Sequence, residues 1–409
     1  MTASISIPNT LSTHHSKVFA KFEKNVLPDQ HFSQVSSRTS SKSTEFTDNP
    51  KTPVGSLEFH PTGAYVVYTR LDGTLNMWKL KSDRAEDYKP LTLDLANDSI
   101  GFSKSCVSWS PFTGFLFAMV DGSSAIRIFD ASTGANIKTL HSDDDDRYNV
   151  CTYDPNGKWL ATVTQNNQVL LFDVDADYQL AWRSPLLRSA NTTQSIPAPA
   201  KELSSYHTTS LIWSHDSSKI YAAFDSGEIR IYDVLAAGLQ ELIHVSGHTG
   251  PVNCLRLTQT GSYLLAAGED TVCSIWDLSS MCCVFTINDF PDSIRDMDIS
   301  HGESVIALSS PSCIQIYALE TRESIYKVEF NSLISGPKFR FYPGRLTFIS
   351  TTDNDLVTKF HRPEPTEEFT GNGATDKKPR PDRRPGIGGR RRDADAPPRS
   401  RFVRRSARR

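Results

Sequence analysis

The stretch GHTGPVNCLRLTQTGSYLLAAGEDTVCSIWDL, residues 247–278, decides the fold of this chain. It contains three short apolar runs that suit β-strands, at 252–257, 263–267 and 272–276, and the turn-rich segments QTGS and GED separate them. A Gly-His pair opens the stretch and a Trp-Asp pair closes it twenty-nine residues later. This pattern is typical of one blade of a β-propeller.

The same strand–turn–strand–turn–strand plan recurs six more times along the chain. The other copies span residues 56–80, 105–131, 149–174, 209–234, 293–319 and 336–362. Every copy has an aromatic residue at the position of the tryptophan, and the seven aromatic residues are Trp78, Phe129, Phe172, Tyr232, Trp276, Tyr317 and Phe360. The sequence therefore predicts an all-β fold, a seven-bladed WD40-type β-propeller.

A propeller blade covers its faces only by packing on its neighbours, so the ring has to close. The chain after Phe360 offers no outer strand for the last blade. We expect residues 32–37 to supply that N-terminal strand, because an unpaired edge is prone to aggregation. The predicted domains are a flexible N-terminal segment (1–30), the propeller (31–362) and a disordered, basic tail rich in Arg, Gly and Pro (363–409).

Within the propeller, residues 39–53 suit a linker and 184–207 suit a long solvated loop.

Composition favours a protein of a reducing, aqueous compartment. No run approaches the ~18 apolar residues that cross a bilayer, and the N-terminus lacks the apolar core of a secretory signal. The seven cysteines are an odd number without the spacing of metal ligands, so we expect no disulfide framework and no cofactor.

The net charge of −3 conceals a strongly basic C-terminus. Residues 377–409 carry fourteen Lys and Arg against three Asp, a local net charge of +11. Such a segment can contact nucleic acid without sequence preference, act as a nuclear import signal, or only increase solubility. The candidate nucleic-acid contacts are Lys377, Lys378, Arg380, Arg383, Arg384, Arg390, Arg391, Arg392, Arg399, Arg401, Arg404, Arg405, Arg408 and Arg409.

The Gly-His opening of the central blade raises the question of an active-site histidine. The position at the start of a blade favours a structural role instead, in a hydrogen-bonded set with the turn aspartate and the tryptophan. The predicted set is His248, Asp270, Trp276 and Asp277, and the Ser or Thr that usually completes it is expected to be missing because the inner strand reads LLAA. No phosphate-binding loop and no His pair at helical spacing occur, so we expect no enzyme activity and no catalytic residue.

A run of four aspartates, Asp143, Asp144, Asp145 and Asp146, follows an outer strand of the second blade. It can be a solvated acidic loop or a docking point for a basic segment of a partner. Calcium binding is a third possibility, although the run lacks the alternating ligands and turn glycine of a dedicated calcium loop.

Several stretches are more specific than the general repeat pattern, and they resemble one family of WD40 proteins. They are EFHPTG at 58–63 with RLDG at 70–73, NVCTYDPNGKWL at 149–160, and SIWDLSSMCCV at 274–284 with NDF at 288–290. Together with QVSSR at 34–38, they resemble the third, WD40 subunit of the THO complex in its fungal Tex-type form. The basic tail is also similar to that of fungal members.

The resemblance implies a non-catalytic structural subunit of the nuclear TREX assembly. In that assembly THO, built around a large helical scaffold subunit, loads a DEAD-box RNA helicase and an export adaptor onto messenger RNA. The expected role is therefore a scaffold that couples transcription to mRNA packaging and nuclear export, with RNA contact through the tail and no membrane contact. The alternative is a substrate receptor of a ubiquitin ligase or a histone-binding chromatin adaptor.

Overall fold

A computed structural model describes residues 46–47, 54–70, 74–79, 91–94, 105–112, 114–141, 146–183, 207–235, 238–329, 336–341, 343, 348–350 and 357–361. All of them belong to the compact unit Met1–Pro365. The predicted flexible segment 1–30 and the basic tail lie outside the described residues, as does the loop 184–207 except for its last residue.

Strands are the regular structure of the described residues, and six blades each consist of four consecutive antiparallel strands. In the first three blades these are β2 (Val54–Phe59), β3 (Tyr65–Arg70), β4 (Thr74–Lys79) and β5 (Leu91–Asp94); β6 (Cys106–Trp109), β7 (Leu116–Val120), β8 (Ala125–Asp130) and β9 (Ala135–His141); and β10 (Tyr148–Tyr153), β11 (Trp159–Thr164), β12 (Val169–Asp173) and β13 (Gln179–Arg183).

The next three blades follow the same order from an inner to an outer strand. Their strands are β14 (Thr208–Trp213), β15 (Lys219–Phe224), β16 (Glu228–Leu235) and β17 (Gly238–Ser246); β18 (Val252–Leu257), β19 (Tyr263–Gly268), β20 (Cys273–Asp277) and β21 (Cys282–Ile287); and β22 (Asp296–Ile299), β23 (Val305–Ser309), β24 (Cys313–Ala318) and β25 (Ser324–Glu329).

The last repeat differs from the other six. Its strands β26 (Phe339–Phe341), β27 (Phe348–Ser350) and β28 (Val357–His361) form a composite sheet with β1 (Phe46–Thr47). The all-β propeller is therefore confirmed, but six blades, not the predicted seven, consist of consecutive strands. The seventh repeat contributes only three strands and takes its fourth from the other end of the chain.

The closing strand also corrects the sequence prediction. Phe46 pairs with Thr358, and Thr47 pairs with Val357. Both residues lie in the segment 39–53 that was expected to be a linker, whereas residues 32–37 fall outside the described residues. The physical reason for the error is length, because a two-residue strand shows no alternation of apolar and polar positions.

One backbone feature recurs at the turn between the first two strands of a blade. In all of the six regular blades except the second, the residue with positive φ there follows one pattern; these residues are Gly63 (71°), Gly157 (68°), Ser217 (58°), Gly261 (68°) and Glu303 (57°). Each donates its backbone N–H to the carbonyl oxygen three residues earlier. The left-handed conformation suits glycine, so Ser217 and Glu303 show that the fold imposes this turn on less suitable residues.

Apolar side chains of neighbouring blades form shared core layers. Between the fifth and sixth blades, Leu265 and Cys273 pack in one buried cluster with Ile306 and Leu308. Burying such a side chain contributes about 1.5–3 kcal/mol. These layers hold the blades in a ring, and the first strands of the blades consequently surround a central channel.

Candidate functional site

The central channel is lined by the innermost strands of the blades and by the composite sheet, and it encloses a cavity of about 700 Å³. Side chains alternate along these strands, so every second residue faces the channel. The equivalent channel-facing residues are Glu58, Ser108, Thr152, Ile212, Arg256, Asp298 and Arg340. Charges therefore lie on one side of the channel, and neutral side chains lie on the other.

The charged side is a network of close ion pairs, which we call the channel network. Arg340 Nη2 lies 2.8 Å from Glu58 Oε1, and Arg340 Nη1 lies 2.7 Å from Asp296 Oδ2. Arg256 Nε lies 3.3 Å from Asp298 Oδ1, and its Nη2 lies 3.7 Å from Glu58 Oε1. The network thus joins the first, fifth and sixth blades and the composite sheet.

Burial and charge compete at the acidic members of this network. Burial favours a higher pKa for Asp296, but nearby cations, Arg340 above all, outweigh it and hold that pKa below the ordinary value. At Asp298 burial prevails over Arg256 and raises the pKa. Burial favours a lower pKa for Arg340, yet its carboxylate neighbours, Asp296 first, raise it well above the usual range. Arg340 is therefore the cation on which the network depends.

The neutral side of the channel contains two thiols on neighbouring inner strands. Cys106 Sγ donates to the carbonyl oxygen of Cys151 at 3.4 Å, and Cys151 Sγ donates to the carbonyl oxygen of Cys106 at 3.7 Å. Ser108 Oγ accepts the backbone N–H of Tyr153 at 2.9 Å. These contacts join the second and third blades, so the lining groups on both sides of the channel stabilise the ring.

The predicted set of the fifth blade comes together around a buried histidine. His248 Nδ1 lies 2.9 Å from Asp270 Oδ2, and His248 Nε2 lies 2.7 Å from Ser274 Oγ. Trp276 Nε1 donates to the same Ser274 Oγ at 2.8 Å. The expectation that no hydroxyl completes the set is wrong. Ser274 supplies the hydroxyl, and it lies on the third strand of the blade rather than on the second.

Asp277, the fourth predicted member of the set, bonds to residues of a turn instead. Asp277 accepts hydrogen bonds from the backbone N–H of Ser279 at 3.0 Å and from the hydroxyl of Ser280 at 2.8 Å. The backbone hydrogen bond from Ser279 is the first cause of the lowered pKa of Asp277. Asp277 therefore stabilises the exposed turn that leads into the outer strand β21.

The other predicted sites are described only in small part. Asp146 accepts a hydrogen bond from Asn166 Nδ2, while Asp143, Asp144 and Asp145 lie outside the described residues, as do all fourteen cations of the tail. Within the described ranges, no three His, Cys, Asp or Glu side chains are grouped to hold a metal ion. The same ranges contain no helix long and apolar enough to span a membrane.

Sequence reasoning missed Ser274 and the whole channel network. A signal for the network is present, since the first strands read SLEF, CLRL, DMDI and KFRF, each with a charged residue directly before its last apolar residue. The residues of the network are far apart in the chain, so only closure of the ring with the correct strand register brings them together.

Comparison with known proteins agrees with the repeats and the fold. The family described as "WD domain, G-beta repeat" matches residues 40–79 and 239–277. The crystal structure of the Cps50 (Swd1) β-propeller domain of Myceliophteria thermophila superposes with a TM-score of 0.62 at 16 % identity, covering 78 % of this chain and 98 % of that one. The fold and the repeats define a WD40 β-propeller protein.

Two relatives make the resemblance more specific. Protein TEX1 of Saccharomyces cerevisiae is 27 % identical over 360 residues, which cover 85 % of this chain and 80 % of that protein. THO complex subunit 3 of Arabidopsis thaliana is 21 % identical over 294 residues, covering 71 % of this chain and 85 % of that protein. The chain thus resembles the Tex-type WD40 proteins of THO, as its sequence motifs indicate.

Proposed function

We propose that this chain is a nuclear, non-catalytic scaffold subunit of a THO/TREX-type complex that couples transcription to mRNA packaging and export. The observation that carries the proposal is the similarity to Protein TEX1 and to THO complex subunit 3, which extends over most of both proteins. In this role the partners are the other THO subunits, including the large helical scaffold subunit. The helicase and the export adaptor are reached indirectly.

The geometry of the channel supports a structural role. Two arginines face three carboxylates across four sheets, and the cysteine thiols bond to main-chain carbonyls. Ion pairs and hydrogen bonds of this kind fix the relative positions of the blades, so that the outer surfaces are presented to partners as one rigid body.

The basic tail supplies a second, sequence-independent contact in this proposal. The net charge of +11 on residues 377–409 suits binding to RNA phosphates through counterion release. Removing residues 377–409 should lower RNA affinity and flatten its dependence on salt, while assembly with the other subunits persists. Loss of assembly with unchanged RNA binding would reverse this assignment.

The run Asp143–Asp146 is proposed as a docking point for a basic segment of a partner. Changing the four aspartates to asparagine should weaken binding of the partner most at low salt, because salt screens exposed charges. Equal losses at low and high salt would show that charge is not the attraction.

The function itself is tested by affinity purification of the tagged full chain from nuclear extract of its own organism, with quantitative mass spectrometry. We expect THO subunits in stoichiometric amounts with the chain. Recovery of cullin adaptors or of histones in their place would establish a ubiquitin-ligase receptor or a chromatin adaptor and refute the proposal. A tagged, unrelated WD40 protein from the same extract controls for nonspecific recovery.

A further inference from the structure

Two cysteines on the innermost strands of the second and third blades lie side by side at the central channel. Cys106 is the first residue of β6, and Cys151 lies within β10. Each thiol donates to the main-chain carbonyl oxygen of the other cysteine, with Sγ–O distances of 3.4 and 3.7 Å. Both side chains pack on the core that the two blades share, and both line the channel cavity. The blade boundary therefore brings two oxidisable groups together.

The two thiols differ in exposure and in acidity. Cys106 is half-buried at the channel, whereas Cys151 is buried. A hydrogen bond from the Cys151 thiol is the first cause of a pKa of Cys106 below the ordinary value, and it outweighs burial, which favours a higher pKa. The same hydrogen bond, together with burial, raises the pKa of Cys151 well above its usual range. Cys106 is therefore the nucleophile of the pair, since the thiolate is the reactive form of a cysteine.

The fifth blade provides an internal comparison. Cys254 of β18 corresponds to Cys106 of β6, because each stands two residues before the channel-facing residue of its strand. In the blade that follows, Met297 stands where the third blade has Cys151. Burial raises the pKa of Cys254 to about 12. The lower pKa of Cys106 accordingly goes with its neighbouring thiol and not with its position in the blade.

The surroundings of the pair favour oxidation over metal binding. Two thiols need further ligands to hold a zinc ion, and within the part of the chain that the structure describes no His, Cys, Asp or Glu side chain joins them as a third ligand. The channel cavity of about 700 Å³ gives a molecule as small as hydrogen peroxide access to Cys106. A disulfide forms from two such thiols without any other protein group.

We propose that Cys106 and Cys151 form a reversible disulfide when the protein meets hydrogen peroxide. The Cys106 thiolate attacks one peroxide oxygen and the O–O bond breaks, which gives a sulfenic acid at Cys106 and a hydroxide that takes up a proton. Cys151 Sγ then attacks the Cys106 sulfur, the S–O bond breaks, and the hydroxide that leaves takes the proton of the Cys151 thiol. The two cysteines lose two electrons in total, and these reduce one peroxide to two waters.

The disulfide replaces two weak hydrogen bonds by a covalent link between the second and third blades. The linked residues are 45 positions apart in the chain, and such a cross-link reduces the conformational freedom of the unfolded chain. A dithiol reductant reverses the link by thiol–disulfide exchange. The inference does not depend on the proposed function, because both thiols belong to this chain and peroxide is the only other reactant.

Peptide mapping of the full chain tests the proposal. Trypsin places the two cysteines in separate peptides, 105–127 and 148–158, each with one cysteine. The reduced, folded chain is treated with hydrogen peroxide, its remaining thiols are blocked with iodoacetamide, and it is digested without reductant. We expect the two peptides as a linked pair, two hydrogens lighter than their sum, that dithiothreitol separates. Iodoacetamide adducts on both peptides, or oxidation of Cys106 that never links it to Cys151, would overturn the proposal.

The variant Cys151→Ser separates the two chemical steps. Without the second thiol, the sulfenic acid at Cys106 should persist and be trapped by dimedone, and no linked pair should form. The matched control is Cys254→Ser, at the equivalent position of the fifth blade, which should form the linked pair as the native chain does. A Cys151→Ser chain without a dimedone adduct at Cys106 would refute the assignment of the nucleophile. If Cys151→Ser does not fold, Cys106→Ser removes the nucleophile instead and should leave Cys151 unoxidised.

The exposed thiols of β21 control for indirect oxidation. Cys282 and Cys283 are both exposed, so peroxide reaches them from solvent. The double variant Cys282→Ser, Cys283→Ser should form the Cys106–Cys151 link at the native rate. Loss of the link in this variant would mean that the disulfide arises by exchange from the surface, and it would refute direct oxidation at the channel.

Thermal melting connects the disulfide to the fold. Peroxide treatment should raise the melting temperature of the native chain, because the cross-link restricts the unfolded state, and dithiothreitol should return it to the starting value. The melting temperature of Cys151→Ser should not rise with peroxide. A melting temperature of the linked native chain at or below that of the reduced chain would refute the stabilising link between the blades.

Discussion

Arg340 and Glu58 are separated by 282 residues, yet Arg340 Nη2 donates to Glu58 Oε1 at 2.8 Å. Arg340 lies in β26 of the composite sheet, and Glu58 lies in β2 of the first blade. The same guanidinium also bonds to Asp296 of the sixth blade at 2.7 Å. One side chain thus bridges the last inner strand to both of its neighbours at the point where the ring closes.

Replacing Arg340 by methionine should therefore destabilise the propeller strongly. Removing one partner of a buried ion pair costs about 3–5 kcal/mol. Here Asp296 loses its ion pair, and among the described residues Glu58 keeps only Arg256 at 3.7 Å. The free energy of unfolding, measured by urea titration, checks this expectation. Lys327→Met, which breaks an exposed pair with Glu329, is the control, and equal unfolding midpoints of the two variants would contradict the role given to Arg340.

Ser274→Ala should destabilise the fifth blade. Ser274 Oγ is the common partner of His248 Nε2 and Trp276 Nε1, so its loss leaves the buried imidazole and the half-buried indole without that partner. The expected cost is about 1–3 kcal/mol. Ser279→Ala removes an exposed hydroxyl that bonds to Asp277 and should cost less, as urea unfolding can show. A loss no larger than that of Ser279→Ala would mean that the set contributes little to stability.

Stability should fall when the pH decreases below about 6.5. Burial lowers the pKa of His60 and of His301 in the folded chain. The unfolded chain then binds more protons than the folded chain as the pH falls. The stability that the two neutral histidines contribute is therefore complete above their pKa in the unfolded chain and is lost as the pH falls below it.

Unfolding free energies between pH 7.5 and pH 5.5 check this expectation. The double variant His60→Gln, His301→Gln should show a smaller decrease than the native chain, whereas His207→Gln, at an exposed position, should leave the decrease unchanged. A double variant with the same pH dependence as the native chain would exclude these two histidines as the cause.

Two N-terminal deletions distinguish the observed closing strand from the predicted one. Deleting residues 1–44 keeps Phe46 and Thr47, so the melting temperature should stay close to that of the full chain. Deleting residues 1–50 removes both partners of β28 and exposes its edge, so the melting temperature should fall by several degrees and aggregation should increase. Equal loss in both deletions would place the stabilising segment before residue 45.

The sequence predicts the blades well because each strand carries a local pattern. Alternating apolar residues and turn glycines are signals within one repeat, and they locate the strands of the fifth blade almost to the residue. His248 and Asp270 are also predictable, since their spacing within the blade is characteristic of the repeat.

The features that escaped prediction depend on pairing between strands. Ser274 was missed because the hydroxyl comes from the third strand, where it faces Ala266 of the second. The channel network depends on which blades are neighbours and on strand register. The charged residues of the first strands are visible within single repeats, but they do not reveal which residues they pair with.

The most direct test of the proposed role is a crosslinking map of the purified native complex by mass spectrometry. We expect crosslinks from propeller lysines, including Lys138 and Lys158 of the second and third blades, to a large helical THO subunit. Crosslinks to cullin adaptors or histones, with none to THO subunits, would contradict it.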